Sequence, residues 1–268
     1  MINLKLVEVG VNEMKVLLAV DSITTLNILI DEMSARSWPA GTEAQVVSVV
    51  DDGDVPLKVW REEGYGVPAV RREMNRRGEQ ISALAIERLQ QLGISSQVVI
   101  MRGNPEYLIS FAARKWPADL ILIRAHNRKD FRNRLLGSVA KSVVESAPCT
   151  VEVVRARKKT AGLGYRVLLA TDGSVGSKAA AQAITEMRLP LNTEVQVVAG
   201  SSARKIIAQA KDWKADLIVL RTSERRGLSR LVFGSTAAAV ANRAHCSVRV
   251  IRSKAVESEN GLLERRAA

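Results

Sequence analysis

The chain is a succession of short apolar runs alternating with segments of helical spacing. Met14–Val20 (MKVLLAV) is almost wholly apolar, as expected of a strand buried on both faces of a parallel sheet. It ends in Asp21-Ser22, and a helix is predicted across Thr25–Arg36. Thr42–Val50 reads as a second strand. Gly, Pro and charge between Asp51 and Asn75 predict a long loop or irregular excursion. Within 76–92, Ile81, Leu84, Ala85, Leu89 and Leu92 recur at helical spacing. A third strand, Ser96–Met101, closes at Gly103-Asn104-Pro105, and Pro105 suits the first turn of a helix running to Lys115. Ala118–Ile123 is a fourth strand, a further helix opens at Gly137-Ser138, and Thr150–Val154 is the last strand. Strand and helix alternate throughout, which predicts an α/β fold with a parallel, doubly wound sheet.

The pattern then restarts. Tyr165–Ala170 (YRVLLA) repeats the first strand, and Thr171-Asp172-Gly173-Ser174 repeats its end. Asp21 matches Asp172 and Thr42 matches Thr193, each pair 151 positions apart. From Gly103 onward the separation is 97, pairing Gly103 with Gly200, Trp116 with Trp213, Asp119 with Asp216, Gly137 with Gly234 and Cys149 with Cys246. The difference, 54 residues, is a deletion that removes the excursion, one helix and about one strand from the second half. Thr193–Ala199 then serves as a fused second-and-third strand, leaving four strands against five. The expected organisation is a first domain over 14–156, a linker at 157–164, a shortened second domain over 165–254 and a polar tail at 255–268. Residues 1–13 alternate weakly and read as an extra edge segment or a loose tail.

Composition narrows the function classes. No apolar run is long enough to span a bilayer, and the first residues lack the pattern of a signal peptide, so a cytoplasmic protein without membrane association is expected. Cys149 and Cys246 hold equivalent places before the last strands, which reads as small core residues rather than a disulfide or metal site. A net charge of +12 could attract anions, but the basic residues are scattered and aromatics make up only 4%. That disfavours a base-stacking platform and specific nucleic-acid binding. The basic run 155–159 reads as a solvated linker, and Trp116 and Trp213 as packing residues at helix ends. His126 and His245 are not repeat-equivalent, and no paired carboxylates or activated nucleophile appear, so no catalytic or metal site is expected.

Together, the strand ending in Asp21-Ser22 or Asp172-Gly173-Ser174, the Ala-Asp-Leu-Ile strand, the Gly-Ser helix start and Ala147-Pro148-Cys149-Thr150-Val151 resemble the universal stress proteins, the UspA-like family, in tandem. The resemblance covers roughly residues 14–254. It implies two Rossmann-like or flavodoxin-like parallel sheets with helices on both faces, paired through their last strands, here Thr150–Val154 against Ser247–Ile251 within one chain. It also leaves room for a homodimer and for an unidentified protein partner.

Family members that bind ATP carry Gly-x2-Gly-x9-Gly-Ser/Thr after the fourth strand. Early glycines let the backbone approach ribose and phosphate, and the later Gly-Ser opens a helix whose free N–H groups favour an anion. On this chain the pattern falls on Arg124, Asn127, Gly137, Ser138 and Val139 in the first half. In the second it falls on Arg221, Glu224, Gly234, Ser235 and Thr236. Both early glycines are absent from both halves. The resemblance adds the strand-end residues Asp21, Ser22, Asp172, Gly173 and Ser174 to the candidate nucleotide site. Arg124 could reach a phosphate or fill the pocket with its aliphatic stem. Two readings stay open: a regulatory or interaction protein of the stress response with weak or no ATP binding, and an adenine-nucleotide sensor using the first-half site. ATP is the one cofactor the pattern leaves open.

Overall fold

A computed structural model describes residues 13–51, 67–125, 135–156, 164–171, 184, 187–200, 202–221 and 234–252. Its first half runs β1 (Lys15–Ala19), α1 (Ile23–Ser34), β2 (Glu43–Val50), α2 (Val67–Gln91), β3 (Ser95–Arg102), α3 (Pro105–Lys115), β4 (Leu120–Arg124), α4 (Ser138–Ser146) and β5 (Thr150–Val154). The second contributes β6 (Arg166–Thr171), β7 (Glu194–Ala199), α5 (Ala203–Asp212), β8 (Leu217–Arg221), α6 (Ser235–Arg243) and β9 (Ser247–Ile251). The strands form one sheet in the order β3-β2-β1-β4-β5-β9-β8-β6-β7. All neighbours are parallel except β5 and β9, which run antiparallel with Val151 opposite Val250, Glu152 opposite Arg249 and Val153 opposite Val248. The two halves are thus joined through their last strands, as the family resemblance implied.

Alternate side chains of the strands feed opposite faces. On one face a single apolar core runs across both halves, from Leu17, Val47 and Ile121 through Val151 and Val248 to Leu168 and Ile218. It is roofed by α3, α4, α5 and α6, and α4 and α6 touch each other over the seam. The other face carries separate clusters among the described residues, a small one of Val50 with Val70 and two larger ones. Val16, Leu18 and Leu120 pack under α1 and α2 in the first half, and Val167, Leu169 and Leu217 pack with Met187 in the second.

Repeat-equivalent residues do repeat-equivalent work. Asp119 Oδ2 accepts from Lys15 N at 2.9 Å and Asp216 Oδ2 from Arg166 N at 2.9 Å, so the Asp of each Ala-Asp-Leu-Ile segment ties one strand to the start of its neighbour. Trp116 and Trp213 pack against the common core, with Lys15 Nζ 5.7 Å and Arg166 Cζ 5.8 Å from the ring centroids. Gly103 and Gly200 have φ of +132° and +126°, a region that disfavours residues with a Cβ.

The structure differs from the sequence reading at α2, which begins at Val67 rather than at Arg76 and takes in much of the expected loop. Pro68 sits in the first turn, where its missing N–H costs nothing. Val70 packs beside Val50, and Glu73 pairs with Arg76 and Arg77 along the helix. Glu73, within the stretch expected to be loop, is thus a buried carboxylate held by pairs three and four residues further along a helix.

The deletion also has a spatial consequence. β7 pairs with β6 in the register that β2 has with β1, so it takes the place of β2 alone, and no described strand occupies the place of β3. Ala44 and Val46 lie under helices at 1% and 0% exposure, whereas their equivalents Val195 and Val197 are 47% and 58% exposed. Residues 1–12, 157–163 and 253–268, which hold most of the expected edge segment, linker and tail, lie outside the described residues.

Candidate functional site

The strand order of the first half reverses between β1 and β4, and ligands in open α/β sheets bind at the carboxyl ends of strands at such a switch point. Asp21 and Ser22 leave β1 there. Ser22 is the N-cap of α1, its Oγ accepting from Thr25 N at 3.2 Å. The Thr25 hydroxyl donates to Asp21 Oδ1 at 2.5 Å. Arg124, the last residue of β4, directs Nη1 to Thr25 Oγ1 at 3.4 Å. Asp21, Ser22 and Arg124 are therefore gathered around Thr25, a buried residue that the motif comparison did not single out. Its helical position, one turn after the N-cap, is the signal that could have found it.

Gly137, Ser138 and Val139 open the next helix from the same edge. Gly137 is the N-cap of α4 in an extended conformation (φ −64°, ψ 160°), and no side chain caps the helix. The preceding backbone N–H, that of Leu136, donates to Asn242 Oδ1 on α6 at 2.9 Å, so the other half braces this entry. Gly234, Ser235 and Thr236 repeat the arrangement, with Gly234 as the N-cap of α6 and no side-chain cap. Arg221 closes β8 as Arg124 closes β4. Asn127, Glu224, Asp172, Gly173 and Ser174 lie outside the described residues, as does His126. Among the described residues no group of three or more His, Cys, Asp or Glu could hold a metal ion, and no helix is long and apolar enough to cross a membrane. Cys149 and Cys246 are buried thiols outside any disulfide, and burial pushes the Cys246 thiol up to about 12.

The model of the universal stress protein family matches residues 14–155 and 186–252. This chain belongs to the universal stress protein family. A universal stress protein of Methanocaldococcus jannaschii is 35% identical over 85 residues, 32% of this chain and 49% of the relative. A universal stress protein A homolog of Coxiella burnetii is 39% identical over 66 residues, 24% of this chain and 44% of the relative. The chain thus spans about half the length of the curated relatives it matches. Among solved structures, a universal stress protein from Archaeoglobus fulgidus superposes with a TM-score of 0.60 at 19% identity, covering 91% of this chain and 97% of that one. A protein of unknown function from Pseudomonas aeruginosa reaches 0.64 at 14% identity, covering 95% and 98%. These structures share the fold.

In this universal stress protein chain a second polar arrangement lies away from the carboxyl edge, at the seam between β5 and β9. Glu152 is fully buried in the middle of β5. Its Oε2 accepts from Arg249 Nε at 2.6 Å and from Arg36 Nη1 at 3.0 Å, and its Oε1 accepts from Arg36 Nη2. Arg36, just beyond α1, also binds Glu32, whose Oε1 accepts from the Tyr165 hydroxyl at 3.0 Å. Burial alone would raise the Glu152 pKa, but the charges of Arg36 and Arg249, reinforced by their hydrogen bonds, hold it down at about 2. Burial likewise opposes the charge on Arg36, yet Glu152 foremost raises its pKa well above the ordinary value. Burial pushes Arg249 down and Tyr165 up. Arginine starts so far above neutrality that both guanidiniums stay charged.

Sequence reasoning passed over this network, although a single charge inside each apolar last strand, Glu152 in TVEVV and Arg249 in SVRVI, was a visible signal. Arg155 and Arg252 were missed as well. Arg155 was expected in a solvated linker. Instead its Nη2 donates to Ala241 O at 2.7 Å and its Nη1 to Cys246 O at 3.2 Å, at the C-terminal end of α6. Arg252 does the same for α4, donating to Ala147 O at 2.7 Å, Val144 O at 2.6 Å and Glu145 O at 2.9 Å. A cation there satisfies carbonyls that the helix leaves open and complements its dipole.

Proposed function

We propose that this chain is a cytoplasmic regulatory protein of the stress response that acts through contacts with a protein partner, as an internally paired pseudo-dimer, and binds ATP weakly or not at all. The observation that carries this reading is Arg124. It stands where the family's nucleotide motif has its first glycine, and its guanidinium reaches back to Thr25 across the switch point. A side chain so placed takes up space that a ribose or phosphate would need, while the bracing of Leu136 by Asn242 ties the entry to α4 to the other half. The reading assigns no catalysis to this arrangement.

The alternative is an adenine-nucleotide sensor in the first half. It is favoured by the uncapped N-terminus of α4 behind Gly137 and by Asp21 at the strand end. Calorimetric titration with ATP decides between them, together with mass spectrometry of small molecules released from protein purified without added nucleotide. The proposed reading requires no stoichiometric adenine nucleotide in the purified protein and no heat of tight, stoichiometric binding. If nucleotide is found, Gly137→Trp is expected to abolish binding and Gly234→Trp to leave it intact. Equal loss from both variants would place the site elsewhere than in the first half.

A further inference from the structure

The seam has a near two-fold symmetry that is broken at its centre. Glu152 and Arg249 are repeat-equivalent, 97 positions apart, and they are also the residues that face each other at the centre of the β5–β9 register. A pseudo-dyad therefore passes between them. Were the halves identical, the central residue would face its own copy. The surroundings obey the dyad: Arg155 caps α6 while its equivalent Arg252 caps α4. Arg155 N donates to Ser247 Oγ at 3.1 Å, and Arg252 N to Thr150 Oγ1 at 3.4 Å. The centre does not obey it. The first half brings Glu152, Glu32 and Arg36, and the second brings Arg249 and Tyr165, with Met187 at the position matching Arg36.

We propose that Glu152 and Arg249 select the partner of each last strand, so that the first half's edge accepts a domain of this family carrying a cation at the dyad and rejects a second copy of itself. As assembled, the buried cluster balances two carboxylates against two guanidiniums. Two first halves joined the same way would bury four carboxylates against two guanidiniums. Two second halves would bury two guanidiniums with no carboxylate among the described residues. An uncompensated charge inside a seam is strongly unfavourable, and like-charge juxtaposition is a means by which interfaces exclude wrong partners. The cost of the ion cluster is thus offset by the choice of partner and register it imposes. The matching partner is the second half of this chain or of another copy, never a second first half.

The test uses the full chain, because single charge reversals recreate the forbidden meetings inside it. Glu152→Arg sets Arg against Arg, and Arg249→Glu sets Glu against Glu. In urea unfolding each is expected to shift the folding equilibrium toward the unfolded state by on the order of a hundredfold or more. The double reversal, Glu152→Arg with Arg249→Glu, should recover at least about tenfold of the combined loss, as expected when two sites are coupled. Arg36, which faces both positions, keeps that recovery incomplete. Losses that simply multiply in the double variant would overturn the proposal. Should a reversal fail to fold, Glu152→Gln, Arg249→Gln and their combination give the same cycle with milder changes. There the double must be less destabilised than the product of the singles, and a product that holds would likewise overturn it.

Discussion

Acid should open the seam through Glu152, and its surroundings set the size and the pH window of the effect. Its carboxylate is fully buried and holds Arg36 and Arg249. Although burial works in the other direction, the two guanidiniums lower its pKa from 4.5 to about 2. Between those values the unfolded chain binds the proton and the folded chain does not, so stability rises with pH across the window. The contribution is almost complete above pH 4.5 and is lost as pH falls through about 2. Each tenfold change in proton affinity is worth about 1.4 kcal/mol, which gives ~3 kcal/mol at pH 7, ~1 at pH 3 and less than ~1 at pH 2. Glu152→Gln keeps the shape and removes the charge. Urea unfolding of both proteins at the three pH values should therefore show a gap of about 3 kcal/mol that closes to under about 1. A gap that stays level with pH, or widens on acidification, would refute a charged, paired Glu152 in the folded state.

The reciprocal helix caps make a graded prediction. Arg252→Ala removes three short hydrogen bonds to carbonyls at the end of α4 and should cost about 2–3 kcal/mol. Arg155→Ala removes one from the last turn of α6 and one from Cys246 O beyond it, and should cost less, with urea midpoints giving the order. The shortened half predicts a contrast between equivalent valines: Val46→Ala, fully buried, should cost about 2 kcal/mol, and Val197→Ala, 58% exposed, within about 0.5. Thermal unfolding compares them directly, and equal losses would mean that the exposed face of β7 is covered in solution.

The sequence carried the architecture because the signals for it are local and occur twice. Apolar runs such as Val16–Ala19 and Val167–Ala170 have nowhere to go but a sheet covered on both faces, and the equal Gly-to-Cys spacing preceded any structure. Local reading failed where charge carried two meanings. At Glu73 it marked a buried carboxylate paired along a helix rather than a loop, and at Arg155 a helix cap rather than a solvated linker.

The candidate site was legible only as a set of positions. Asp21 and Arg124 could be aligned with a motif, but their convergence on Thr25 depends on β1 and β4 being neighbours although Thr25 and Arg124 are 99 positions apart in the chain. Likewise, Glu152 and Arg249 could be seen as odd charges in apolar strands, yet not as a pair. By itself the sequence determined the two halves, their strands and the deletion, since these rest on periodicity and spacing along the chain. Only the tertiary structure decided that equivalent positions meet at a dyad with opposite charge and that Arg36 arrives there from α1. Register across an antiparallel seam, and the burial that magnifies charge within it, are properties of residues brought together from distant parts of the chain.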